Sequence, residues 1–274
     1  MLERCSIAAL AVVLSLSATA AAALDGYPDF RGQWARPPGG AQWDPSKPGG
    51  LRQQPPLTPE YQALFEANMK SLGNGNEVYN AQALCLPSGM PRMMIAYEPL
   101  EIVVTPDATY VRSDHLTETR YIHTDGRNWA GPPVPTYSGH SIGKWIDEDG
   151  DGRFDVLDVE TRGFKGPRAY DATGIPLHTD NESVLKERLY LDKANPDILY
   201  DDITTIDHAL TRPWTVKRKY LRETKPMWLE HTCGEANHHV VIGKESYFLS
   251  ADGQLMPTRK DQPAPDLKYF SAQP

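Results

Sequence analysis

Beyond residue 85 the chain reads as short runs in which β-branched and aromatic residues alternate with polar ones. Such runs occupy 101–105, 109–112, 119–123, 153–161, 184–192, 198–206, 214–222 and 246–250. A side-chain period of two with one apolar face is the mark of half-buried strands. The first two runs are separated by Pro106, Asp107 and Ala108, a turn with proline in its second position. No helical pattern alternates with the strands, so a parallel βαβ arrangement is excluded. The fold class predicted is mainly β: an antiparallel meander closed as a barrel or packed as a sandwich.

One segment carries a helical period instead. Thr58, Pro59 and Glu60 read as N-cap, first-turn proline and first-turn acid, and Tyr61, Leu64, Phe65, Met69 and Leu72 recur on one face before Gly73. A helix over 59–72 follows from this pattern. Upstream, residues 24–57 are rich in Pro and Gly, with Trp34 and Trp43 among them. They are read as an extended arm packed on a single β-rich domain spanning 58–274.

Composition adds the compartment. Residues 1–23 hold Arg4, an apolar run from Ile7 to Leu16 and small residues ending in Ala21, Ala22 and Ala23, the layout of a secretory signal peptide. The expected location is periplasmic or secreted, with no later segment apolar enough to span a bilayer. The net charge of -8 argues against a nucleic-acid partner, since phosphate binding requires an excess of Lys and Arg. Cys5 leaves with the leader, so Cys85 and Cys233 remain as an even pair in an oxidising compartment. A disulfide is expected, two reactive thiols being the alternative.

The string Gly139-His140-Ser141-Ile142-Gly143 spells G-x-S-x-G. In an α/β-hydrolase this marks a nucleophile elbow, which needs a buried strand before the serine and a helix after it. Here the string is preceded by Gly131, Pro132, Pro133, Val134 and Pro135 and followed by Asp147 to Gly152. The first cannot be a central strand and the second cannot start a useful helix. Ser141 is therefore expected within a β-strand and a serine hydrolase is disfavoured.

Several stretches together resemble a family of exported bacterial proteins, most of them without a characterised activity. They are CLPSGMPR at 85–92, EIVVTP at 101–106, YIHTDGR at 121–127, GHSIGKW at 139–145, VETRGF at 159–164 and Glu187-Arg188. The resemblance implies a lipocalin-like β fold with the Gly-His-Ser string in a strand. It implies no particular reaction. The chain departs from the family at 146–153, where an acidic insertion replaces a short Gly-Asp turn.

That insertion has its own pattern. Asp147, Asp149, Asp151, the backbone at Arg153, Asp155 and Asp158 fall at positions 1, 3, 5, 7, 9 and 12 of a calcium loop, with Gly152 at position 6. A structural calcium ion is expected there, the alternative being a solvated acidic turn without an ion, and no flanking helices are visible. His231, Cys233, Glu235 and His239 offer a competing zinc set, which a disulfide at Cys233 would break. No Gly-rich phosphate loop, dinucleotide fingerprint or haem-attachment motif occurs, so no organic cofactor is expected.

Histidines carry the expected chemistry, because imidazole serves as acid or base near neutrality. His140 is assigned as base facing an enclosed barrel cavity, His178 as acid or orienter, and Asp171 or Asn237 as substrate-positioning groups. The function expected is a cofactor-independent lyase, isomerase or hydratase acting on a small organic molecule. The alternative is a periplasmic small-molecule-binding protein without turnover. Neither reading fixes the oligomeric state.

Overall fold

The computed structural model describes residues 26–38, 55–74, 85–95, 98–113, 118–171, 174–228, 233 and 238–265. The predicted leader, Trp43 and Asn237 lie outside the described residues. Nine strands form a closed barrel in sequence order. They are β1 (Gln33–Ala35), β2 (Leu100–Val104), β3 (Ala108–Ser113), β4 (Glu118–His123), β5 (His140–Ile146), β6 (Val156–Arg162), β7 (Val184–Leu191), β8 (Ile198–Ile206) and β9 (Trp214–Arg222). A separate three-stranded sheet holds β10 (His239–Ile242), β11 (Glu245–Leu249) and β12 (Leu255–Pro257). The protein is thus mainly β, consistent with a lipocalin-like barrel. Among the described residues no helix is long and apolar enough to cross a membrane.

The segment read as an extended arm contributes to the wall. β1 pairs with β2 through Trp34↔Leu100 and with β9 through Trp34↔Arg222, closing the ring. Phe30 and Trp34 are fully buried, and the indole Nε1 donates to the Phe30 carbonyl at 2.8 Å. Three residues are too few to display an alternation, which is why the pattern did not reveal this strand.

Alternation elsewhere sets the inside of the barrel. Leu100 and Ile102 of β2, Val111 of β3, Ile122 of β4, Leu157 and Val159 of β6, Leu185 and Leu189 of β7, and Leu199 and Ile203 of β8 share one core. The CLPSGMPR stretch completes it as a plug: a 3-10 turn at Arg92–Ile95 is wholly buried, and Met90, Met93 and Met94 join the same core. Tyr220 Oη donates to the Met94 carbonyl at 2.6 Å, fixing the plug to β9. Apolar side chains and this plug thus occupy a part of the interior where an enclosed cavity was expected.

The helix α1 (Pro59–Gly73) starts at Thr58, whose Oγ1 accepts from the Tyr61 amide at 3.4 Å. Tyr61 and Phe65 are buried, whereas Leu64 and Met69 of the predicted stripe remain exposed. Phe65 packs with Ile95, Tyr170, Ile175, Leu177, Trp214 and Val216 in a second, smaller core.

Candidate functional site

Every neighbouring pair of strands in the barrel is antiparallel except β4 and β5. These two run parallel and pair only at Ile122↔Ser141 and His123↔Ile142. A parallel pair needs a crossover, here the connection 124–139 with its three prolines. Below the two paired rungs the strands diverge. A cleft of about 570 Å³ opens along that seam, lined by Glu118, Arg120, Tyr121, His123, Ser138, His140, Ser141 and Lys165, with the Cys85–Cys233 bridge at its edge.

The pentapeptide in β5 explains much of this geometry. Ser141 lies in a strand, as its context required, and the alternation of the strand puts Ser141, Gly143 and Trp145 inward and His140, Ile142 and Lys144 outward. The expected orientation is therefore inverted: the imidazole does not face the barrel interior. Trp145 decides the face, because its large ring joins Phe30 and Phe154 at the barrel end. Ile142 and Ile146 on the opposite set made the two faces indistinguishable in sequence.

Both glycines of the string are steric requirements. Gly139 has φ +68°, and a Cβ there would lie 2.6 Å from the Phe164 ring. Gly143 faces inward, where a Cβ would stand 2.8 Å from Ile122 Cγ2. The buried hydroxyl of Ser141 is no nucleophile: it accepts from Arg120 Nε at 3.0 Å and shares a hydrogen bond of 2.9 Å with Thr161 Oγ1. Arg120 also grips Glu187 with Nη1 at 2.8 Å and Nη2 at 2.5 Å, a bidentate pair inside the wall.

His140 projects from the outer face. Its Nε2 stands 2.6 Å from the Val134 carbonyl, so that nitrogen carries the proton and donates. With Nε2 so engaged, Nδ1 makes no hydrogen bond among the described residues. The proline-rich stretch before the strand supplies this carbonyl, and it is held over the strand at Gly163, where a Cβ would meet Pro133 Cγ at 2.3 Å.

His123 borders the same cleft, and sequence reasoning had not singled it out as catalytic. Burial, then the Arg127 cation and His140, hold it below the ordinary imidazole range, so it is neutral near pH 7. Arg127 Nη1 stands 3.3 Å from His123 Nε2, while Asp125, drawn to about 2 by its hydrogen bonds from Arg127, holds that guanidinium in place. Glu118 contributes no free acid. Its carboxylate accepts from the amides of Ser88 and Gly89 and from Ser138 Oγ at 2.8–2.9 Å. Lys165 stays on the cleft lining, its Nζ 4.6 Å from the centre of the Tyr137 ring.

The remaining predicted residues lie elsewhere. His178 is not on this cleft: its ring packs against Tyr61 and His208, and its Nδ1 lies 2.8 Å from Asp180. The pairing of His140 with His178 is not formed. Asp171 is buried beside the second core, away from the seam lining. Strand spacing alone could not reveal this, since of the connection after β6 only Lys165 lines the seam, while Tyr170, Ile175 and Leu177 pack in the second core.

Cys85 and Cys233 are bonded with Cα atoms 5.7 Å apart. Of the zinc set, His239 belongs to β10, and His231 and Glu235 lie outside the described residues. In the acidic turn, Asp147, Asp149 and Asp151 do converge, within 4.8 Å of one another. Asp147 caps the amides of Gly150 and Gly152, Asp151 accepts from the Arg153 amide, and Asp155 accepts from the Glu148 amide. Asp158 instead sits in β6 and pairs with Arg188 at 3.6 Å, apart from the loop.

A wider groove of about 910 Å³ crosses the outer faces of β5 to β8. Its charged floor is largely self-paired: Arg188 meets Glu148 and Asp158, and Asp202 meets Lys217. The seam cleft, with an unpaired imidazole nitrogen and a cation, has the greater chemical capacity. Neither models of protein families nor curated proteins match this chain.

Proposed function

We propose that the seam between β4 and β5 is the active site of a cofactor-independent enzyme of the lyase, isomerase or hydratase type, with His140 as general base. The observation that carries this reading is the 2.6 Å bond from His140 Nε2 to the Val134 carbonyl. It fixes the tautomer and leaves Nδ1 to take a proton from carbon or water, a step shared by all three reaction types. Lys165 supplies positive charge for the oxyanion that proton removal creates. His123 acts as a neutral wall of the cleft, positioned by Arg127. The substrate suited to these groups is a small carbonyl- or carboxylate-bearing molecule.

A second reading uses the same cleft without turnover. Glu118 and Arg120 are satisfied within the fold, so His140 and Lys165 could simply hold an anion. Mass spectrometry of compounds retained by the natively produced protein, before and after incubation with a polar extract, separates the two. Conversion by the wild type that is lost in His140→Ala, with retention preserved, supports the enzyme. Retention of unchanged compound by both proteins overturns it in favour of a binding protein.

The bridge favours an oxidising compartment, which agrees with an exported protein of the family suggested by the motifs. Calcium at the acidic turn is proposed as a structural ion held by Asp147, Asp149 and Asp151. Asp158 is not part of this ligand set. A melting temperature unmoved by EDTA and by calcium would remove that assignment.

A further inference from the structure

A second chemical centre lies on the turns that carry His178 and His208. Asp180 Oδ2 stands 2.8 Å from His178 Nδ1 and 2.6 Å from His208 Nδ1. One donor atom from each of the three residues lies within 4.8 Å of the others. We propose that His178, Asp180 and His208 bind a divalent transition metal, zinc being the first expectation. This inference does not depend on the seam cleft or on its reaction.

The donor set is two imidazole nitrogens and one carboxylate oxygen, which suits borderline ions and not calcium, whose sites are built from oxygen alone. The geometry needs little change. Ligand bonds of about 2.0–2.1 Å at the tetrahedral angle put neighbouring donors about 3.3 Å apart. Against that spacing the two Asp180 contacts are short by about 0.5 and 0.7 Å, and the side chains that adjust are 30%, 28% and 65% exposed for His178, Asp180 and His208.

What surrounds the donors already orients them. Asp180 Oδ1 accepts from the Glu182 amide at 3.0 Å, which turns Oδ2 toward the two rings. Buried Asp207 ties the two turns together: Oδ1 accepts from the amides of His178 at 2.9 Å and Ala209 at 2.8 Å, and Oδ2 accepts from Ser183 Oγ. Tyr61 of α1 covers the His178 ring, with centroids 5.3 Å apart. One contact gives way on binding, the Asp180 amide donating to His178 Nδ1 at 3.2 Å. Support of this kind around a ligand sphere is what positions metal-binding histidines. Three protein ligands leave a coordination position for water or an exogenous donor.

The test uses the full chain, stripped with EDTA and titrated with zinc chloride by calorimetry, with cobalt(II) as a spectroscopic probe. Saturable uptake and intense visible cobalt bands of a four-coordinate site are expected. His208→Ala and Asp180→Asn should each weaken zinc binding by about tenfold or more, while His140→Ala and His239→Ala leave it unchanged. His208 is exposed enough that its replacement should not impair folding, and a melting curve checks this. Absence of saturable uptake, or affinity unchanged in both site variants, would overturn the assignment.

Discussion

From β5 to β9 the barrel wall is an unbroken antiparallel ladder, whereas between β4 and β5 it is a short parallel seam. In the ladder, β5 and β6 stay in register from His140↔Arg162 to Ile146↔Val156, and β7 and β8 from Val184↔Ile206 to Leu191↔Leu199. In the seam only Ile122 and His123 find partners across the strands. The cleft lies along this short seam, lined by residues of both strands. The difference teaches where this fold can place chemistry: the ladder supplies rigidity, and the gap supplies access.

The sharpest way to break that contrast is at Arg120, which stands behind the seam and ties it to the ladder through Glu187 and Thr161. Both side chains of the ion pair are essentially unexposed. Arg120→Met leaves the Glu187 carboxylate buried without its partner, and breaking such a pair costs about 3–5 kcal/mol. Urea unfolding should show that loss, and the double replacement with Glu187→Leu should recover much of it. Equal destabilisation in the single and double variants would mean that the pair does not hold the seam.

The disulfide comes next. Cys85 and Cys233 are 148 residues apart in sequence and lie at the edge of the cleft. Cross-links that close long loops stabilise chiefly by restricting the unfolded chain, and removing a native one typically costs about 2–5 kcal/mol. Replacing both cysteines with serine should lower the urea midpoint accordingly. Two thiols that alkylate freely in the native protein would remove the premise.

A smaller effect probes how closely the seam is packed. A Cβ at Gly143 would meet Ile122 Cγ2 at 2.8 Å, Leu157 Cδ1 at 3.0 Å and Thr124 Cγ2 at 3.2 Å. Gly143→Ala is expected to cost about 1–3 kcal/mol through overpacking. Ile122→Ala, which removes the facing Cγ2, should cost less in the Gly143→Ala background than in the wild type. A neutral Gly143→Ala in thermal melts would show that the seam has slack.

Much of the ladder was legible in the sequence because it repeats the signal many times. The runs at 198–206 and 214–222 coincide with β8 and β9, since one face of each is buried throughout. The run assigned from 153 begins instead at Val156, the acidic turn having taken its first residues into capping bonds. The seam was not legible. Its parallel pairing follows from the path of 124–139, a tertiary property with no local period, and the same path carries Val134 to His140. The motif string did reveal a strand, and its two glycines now have steric reasons, but the inward face depended on whether Trp145 or Ile142 was buried. His123 ends a strand close to Asp125 and Arg127 in sequence, yet the burial that comes first in keeping it neutral is a tertiary property.

The last prediction sets the two regions against each other inside the barrel. Behind the seam, Arg120 uses Nε, Nη1 and Nη2 in hydrogen bonds. Within the ladder, Asp201 of β8 faces inward beside Arg218 of β9, fully buried, and neither carboxyl oxygen has a hydrogen-bond partner among the described residues. Burial first, and then the charge of Glu187, raise the Asp201 pKa well above the usual carboxylate range. An acid with a raised folded-state pKa binds more protons folded than unfolded, so its contribution to stability is fullest below the unfolded value of about 3.9 and declines as pH rises toward the folded value. Asp201→Asn keeps the shape and removes the titration. The variant should therefore gain stability relative to wild type as pH rises from the acid range to neutrality, measured as the difference between their urea midpoints. A difference that stays constant with pH would show that Asp201 titrates normally and that the ladder tolerates its charge as well as the seam tolerates Arg120.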